Sequence, residues 1–164
     1  MVDIQTISIA IASASVVAGV TYYALQIRHQ NKMRRLDLFM RLYSVWGSED
    51  MLSAHRRFVA IEVEDYDSFV KKHGQVTEAS QVWTDIDLVG WFFNLVGFLV
   101  KEKIVQIKQI DELIGYWVIK DWETIKPLVS GWRKQYDIPE SYRWFEYLYN
   151  EMKKREQKLQ QPSA

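Results

Sequence analysis

Residues 4–27 read IQTISIAIASASVVAGVTYYALQI, and none of these 24 positions carries a charged side chain. As an α-helix at about 1.5 Å per residue the run reaches roughly 36 Å, enough for a hydrocarbon core about 30 Å thick. Gln5, Thr6, Thr21 and several serines dilute its apolarity. Small hydroxyls are tolerated in lipid because they bond back to the helix backbone. Only Asp3 precedes the run, whereas Arg28, His29, Lys32, Arg34 and Arg35 follow it. Basic flanks stay on the cytoplasmic side. The expected arrangement is a single transmembrane helix in the cell (inner or plasma) membrane, N-terminus outside and the rest of the chain in the cytoplasm. Tyr22, Tyr23, Arg28, Lys32, Arg34 and Arg35 are the expected membrane-interface residues.

Two other readings of this stretch are weaker. Ala12-Ser13-Ala14 resembles a signal-peptide cleavage site, but no basic region precedes it and the apolar run continues well past it. A buried core helix normally shows a polar stripe, and none appears before Arg28. Within the run Ala10, Ala14 and Ala18 recur every fourth residue, as do Ser15 and Gly19. Small residues at that spacing let helices approach closely in lipid. They are the candidate packing positions for a second copy or for another membrane protein.

The remaining residues suit one helical domain. The sequence divides into a membrane anchor with its basic flank (1–35), a helical cytoplasmic domain (36–159) and a polar tail (160–164). The fold class is all-α: the N-terminal helix continues into a cytoplasmic helical bundle. No helix breaker separates the anchor from Leu36, Phe39, Tyr43 and Trp46, whose spacings of three, four and three make a helical stripe, so the anchor is expected to continue as one helix to about Trp46. Gly47-Ser48 ends that helix, and Ser48 caps the next, which carries Met51, Leu52, Phe58 and Val59. A polar connection over 62–77 has room for a helical turn around 66–72, and Thr77 is the expected cap of the following helix. That helix places Val82, Ile86, Val89, Phe93, Val96 and Val100 on one face. Gly90 and Gly97 lie seven residues apart, where close packing against another helix would justify their cost in helix propensity. Further stripes run through Ile107, Ile110, Ile114 and Trp117, and through Trp122, Ile125, Val129, Trp132 and Tyr136. Pro127 is expected to kink or divide the latter helix. Pro139-Glu140 suits the start of a last helix carrying Phe145, Leu148, Met152 and Leu159.

Three sequences then stand out: GWFFNLVGFLVKEKIV from Gly90, IDELIGYWVIKDWETIKPLV from Ile110 and YRWFEYLYNEMKK from Tyr142. Gly97 before Lys101, then Asp111-Glu112, Trp122 with Pro127 and Arg133, and finally Phe145-Glu146 with Leu148 resemble a bacterial and archaeal family, domain of unknown function 4760. The resemblance implies an N-terminal membrane helix followed by a helical cytoplasmic region. It implies no activity and no catalytic residue.

Composition narrows the chemistry. The chain has 21 Lys plus Arg, 21 Asp plus Glu and no Cys. Zero formal charge removes the global electrostatic drive toward nucleic acid. The lack of Cys excludes disulfides and thiolate sites. His29, His55 and His73 match no metal motif, and Arg56-Arg57 beside His55 opposes a cation. The acidic pairs Asp65/Asp67, Asp85/Asp87 and Asp111/Glu112 are expected to be solvated surface charges. No nucleophile elbow, P-loop or dinucleotide fingerprint occurs. No catalytic residue, metal or cofactor is expected. The partners expected are membrane lipids and either the protein itself or another membrane protein, with no nucleic acid. The expected role is an accessory subunit, scaffold or adaptor. The alternatives are a membrane-tethered enzyme with an unrecognised site and a membrane-coupled sensor.

Overall fold

The computed structural model describes residues 3–78 and 80–160, with the side chains of Thr6, Ile7, Ala10 and Gln160 outside that description. Among the described residues the chain is all-α, with six helices: α1 (Ile4–Trp46), α2 (Glu49–Phe58), α3 (Tyr66–His73), α4 (Gln81–Lys101), α5 (Ile107–Tyr136) and α6 (Arg143–Gln160). The chain forms two compact units, Met1–Arg41 and Leu42–Ala164.

The first unit is the long helix α1 up to Arg41. Its hydroxyls are satisfied locally. Ser8 Oγ donates to Ile4 O at 3.0 Å, Ser15 Oγ to Ile11 O at 2.8 Å and Thr21 Oγ1 to Val17 O at 2.8 Å. Each side chain thus hides its polar atom against the helix backbone.

The second unit begins with the end of α1, where Leu42 and Trp46 are buried while Tyr43 is exposed. Leu36, in the preceding unit, is exposed as well. Of the stripe through Leu36, Phe39, Tyr43 and Trp46, Trp46 is buried and Phe39 half-buried, whereas Leu36 and Tyr43 are exposed. The buried pair Leu42 and Trp46 keeps the four-residue spacing of one helix face, and Tyr43 is turned about 100° away from Leu42. Gly47 closes α1 by donating its N–H to Tyr43 O. Ser48 Oγ then accepts from Met51 N at 3.3 Å and starts α2, with Glu49 and Asp50 complementing the helix dipole. Met51 and Phe58 enter the core, whereas Leu52 and Val59 remain partly exposed.

Helix α4 is the centre, packed between α2 and α6, while α6 also packs on α5 and α3 packs on α5. Val89, Phe93 and Val96 on α4 are completely buried, as are Val118 and Ile125 on α5 and Phe145 and Leu148 on α6. Removing each such side chain from water contributes about 2 kcal/mol. Rings link the layers: Phe93 stacks on Phe145 at 4.8 Å, and Trp122 meets Phe145 edge-on at 5.1 Å. By length and composition α4 could cross a membrane, but 56% of its apolar window is buried inside this unit. Its partners are other helices of the protein.

Two glycines and one asparagine explain how α6 lies against α4. A Cβ at Gly97 would overlap the Trp144 carbonyl oxygen and stand 2.6 Å from the carbonyl carbon. A Cβ at Gly90 would meet the Tyr142 ring at 2.5 Å. Asn94, the single polar residue between Leu88 and Val100, accepts from Trp144 N at 3.0 Å and Phe145 N at 3.3 Å. These are first-turn N–H groups of α6 with no partner inside that helix.

Three expected boundaries are corrected. Ser80, in extended conformation, is the N-cap of α4. Thr77 belongs instead to a preceding turn in which Glu78 N donates to Gln75 O. Helix α5 runs unbroken through Pro127. The missing N–H costs one helical bond, roughly 3 kcal/mol with its ring clash, and burial of Trp122, Ile125, Leu128 and Val129 on both sides of the proline offsets it. Helix α6 starts at Arg143 rather than at Pro139-Glu140, because Ser141 N closes a turn onto Ile138 O and Tyr142 adopts a left-handed φ of 54°. Its Leu159 is exposed, so the final stripe ends at Met152. Residues 161–164 of the expected polar tail lie outside the described residues.

Candidate functional site

The expected membrane positions all fall on α1. Ala14, Ser15, Ala18 and Gly19 are exposed, and nothing lies within 4 Å of a Cβ built at Gly19. The Ala10 side chain lies outside the described residues. Tyr22, Tyr23, Arg28, Lys32, Arg34 and Arg35 are exposed around the helix. No ion pair is found for these basic residues among the described contacts, whereas Arg41 Nε holds Asp37 Oδ2 at 2.9 Å.

Buried polar chemistry gathers in the helical unit, on residues that their charge had assigned to the surface. Asp85 is 1% exposed. Its carboxylate accepts two hydrogen bonds from Arg57, from Nε and Nη2, both at 2.7 Å, and one from Gln81 Nε2 at 2.9 Å. Burial by itself would raise the Asp85 carboxyl, but the bonds from Arg57 and Gln81 outweigh it and hold the group below the ordinary carboxylate range. Asp87 accepts from Tyr142 Oη at 2.8 Å. Asp111 pairs with Arg155 at 2.9 Å, and Asp65 caps α3 by accepting from Ser68 N at 2.8 Å. The expectation of solvated acidic pairs is thus wrong for Asp85, whose carboxylate is enclosed because Arg57 spans from α2 to α4.

The deepest pair joins α2 to α5. His55 Nε2 lies 2.8 Å from Asp121 Oδ2, with His55 7% and Asp121 1% exposed. Burial pushes the Asp121 carboxyl up from its ordinary value, and the His55 contact only partly opposes this. Asp121 Oδ1 has no hydrogen-bond partner. The imidazole is ringed by Trp46 at 4.9 Å, Trp117 at 4.7 Å and Phe58 at 6.2 Å. A carboxylate holding an imidazole can orient a general base. Here aromatic rings surround the imidazole, and the pair acts as a polar crosslink between helices. Asp121 sits in the buried series Ile114, Val118, Asp121, Ile125. Its position among apolar residues at spacings of four, three and four was the legible sign of burial.

Surface grooves lie elsewhere. One of about 600 Å³ runs between α5 and α6, lined by Tyr116, Lys120, Glu123, Lys153 and Glu156 among others. Another of about 440 Å³ is lined by Asp65, Tyr66, Pro127 and Gly131.

A family model described as Domain of unknown function (DUF4760) matches residues 10–152. The chain belongs to this family. No curated protein and no solved structure matches it. The DUF4760 match begins inside α1 and ends inside α6, so it includes at least part of every helix and both polar crosslinks.

The Asp85 site of this DUF4760 protein makes a pH prediction. A carboxyl held below its unfolded value stabilises the fold above about pH 4, and that contribution is lost as pH falls through the lower folded value. The thermal midpoint of the wild-type protein is expected to fall between about pH 5 and pH 3. Asp85→Asn should have a lower midpoint at pH 7 and a shallower acid limb. Parallel curves for the two proteins would remove Asp85 from the acid transition.

Proposed function

We propose that this DUF4760 protein is a single-pass membrane protein whose α1 crosses the bilayer, N-terminus outside, and whose helical domain is a cytoplasmic accessory or adaptor module with no enzymatic role. The observation that carries this reading is the exposure of apolar side chains on every side of the first part of α1. Ile9, Ile11, Val16, Val17, Val20 and Leu25 are each more than half exposed. In water such a helix would present far more contiguous apolar surface than soluble proteins tolerate. Lipid is the solvent that suits it, and the back-bonded hydroxyls of Ser8, Ser15 and Thr21 fit the same environment. The basic flank Arg28, Lys32, Arg34 and Arg35 supports the orientation and would add about 1 kcal/mol per residue with anionic headgroups. An adaptor role is supported by helix surfaces left open for a partner, notably Trp91 on α4, which is 68% exposed.

The natural absence of Cys makes the topology directly testable. Asp3→Cys should react with an impermeant maleimide in sealed right-side-out vesicles, and Lys158→Cys only after permeabilisation. The chain should remain in the membrane through alkaline carbonate washing. Reversed labelling would overturn the orientation, and release by carbonate would overturn the anchor.

A further inference from the structure

One face of α1, starting at Met33 within the basic flank, carries an apolar stripe that the first unit leaves uncovered. Met33, Leu36 and Met40 are between 44% and 54% exposed, and the same spacing reaches Tyr43. The steps are three, four and three, the a/d repeat of a two-stranded coiled coil. Extended toward the N-terminus without a change of phase, the same line passes His29, Gln26 and Tyr22 and then Gly19, Ser15, Ala12 and Ser8. Ile9, Ile11, Val16, Val17 and Val20 lie off it.

The composition along this line changes where the solvent should change. In water a helix seam is apolar, because burial drives association. In lipid burial drives nothing, and seams are built from small residues that let backbones approach. One line on α1 satisfies both conditions, apolar at Met33 to Met40 and small at Ser8 to Gly19. It is a different line from Ala10, Ala14 and Ala18, whose strict four-residue spacing drifts away from a 3.5-residue repeat.

We propose that α1 pairs with α1 of a second copy of this chain as a parallel, left-handed coiled coil that runs through the bilayer into the cytoplasm along this seam. The proposal rests on the membrane reading above, because insertion in one orientation makes the two helices parallel. Charge selects the occupant. Lys32 precedes the seam residue Met33, and Asp37 follows the seam residue Leu36. In a parallel pair these flanking positions, five residues apart, face each other across the interface. Lys32 of each copy meets Asp37 of the other, whose carboxylate also holds Arg41 of its own helix at 2.9 Å, so a second identical chain supplies two opposite-charge pairs by symmetry. The 3.5-residue period sets the left-handed winding.

Single cysteines in the otherwise Cys-free chain test this in native membranes by oxidative cross-linking. Met33→Cys, Leu36→Cys and Met40→Cys should give disulfide-linked dimers. Arg34→Cys and Arg41→Cys, on the other side of α1, should give at least about ten-fold less, because only seam positions face each other. In the Leu36→Cys background, Lys32→Glu or Asp37→Lys alone should lower the cross-linked fraction about three-fold, and the two together should restore it. Equal cross-linking at seam and off-seam positions, or none at any, in a protein retained by carbonate would overturn the seam while leaving the anchor intact. So would cross-linking at Ala14→Cys and Ala18→Cys with none at Ser15→Cys and Gly19→Cys. Release by carbonate would remove the anchor and this pairing together.

Discussion

Replacing Gly97 by alanine is expected to lower the unfolding free energy of the helical domain by about 3 kcal/mol, at the upper end of the usual cost of overpacking. The reason is the identity of the neighbour. A Cβ there would collide with the Trp144 carbonyl, which is main chain and cannot rotate away. The first turn of α6 would have to lift from α4, and the bonds from Trp144 N and Phe145 N to Asn94 would lengthen with it. Gly90→Ala is the control. Its Cβ meets the Tyr142 ring, which can swing, so a loss of about 1 kcal/mol is expected. Gly19→Ala meets nothing and should leave the domain unchanged. Thermal unfolding of the detergent-solubilised chain measures all three. A Gly97→Ala protein within about 0.5 kcal/mol of wild type would show that α6 does not press on α4 as described.

Removing Asp121 is expected to cost more. Asp121→Ala leaves His55 enclosed by rings with its Nε2 unpaired, and breaking a buried pair from one side costs about 3–5 kcal/mol. Burial holds the Asp121 carboxyl above its ordinary range. A group raised in the folded state contributes most stability below its unfolded value and loses that contribution as pH rises through the folded one. Asp121→Asn keeps a side chain of the same shape that can still bond His55, so it should lose less stability than Asp121→Ala. The double variant His55→Leu/Asp121→Leu removes both polar groups and should recover most of the loss of Asp121→Ala, because apolar groups of similar size can replace a buried pair at little cost. If the double variant were as unstable as the single, the site would require its polar atoms for something other than holding α2 to α5.

The helices were readable because most of them are periodic. Val89, Phe93 and Val96 on α4, and Phe145, Leu148 and Met152 on α6, lie where their spacing puts them. Register was less legible at α1. Phe39, Leu42, Tyr43 and Trp46 are all apolar or aromatic, so hydrophobicity does not say which edge of a wide stripe is covered. Pro127 does not divide α5, because the local rule about backbone hydrogen bonds met a helix packed on both sides of the proline. The polar crosslinks were hidden for a different reason. His55 and Asp121 are 66 positions apart in the chain, and Arg57 and Asp85 are 28 apart. No local pattern pairs such residues, although Asp85 and Asp121 both interrupt otherwise apolar faces. Asn94 offered the same signal and proved to be the cap of another helix.

The indole of Trp46 closes against Phe92 and Phe93, each at 5.2 Å, as well as against His55. The last turn of α1 is thus an interior part of the second unit. A proteolytic cut or an engineered start at Gly47 would excise the largest ring from that cluster and open a hole beside the histidine. Any soluble version of this module has to begin upstream of Leu42, carrying a stub of the long helix with it.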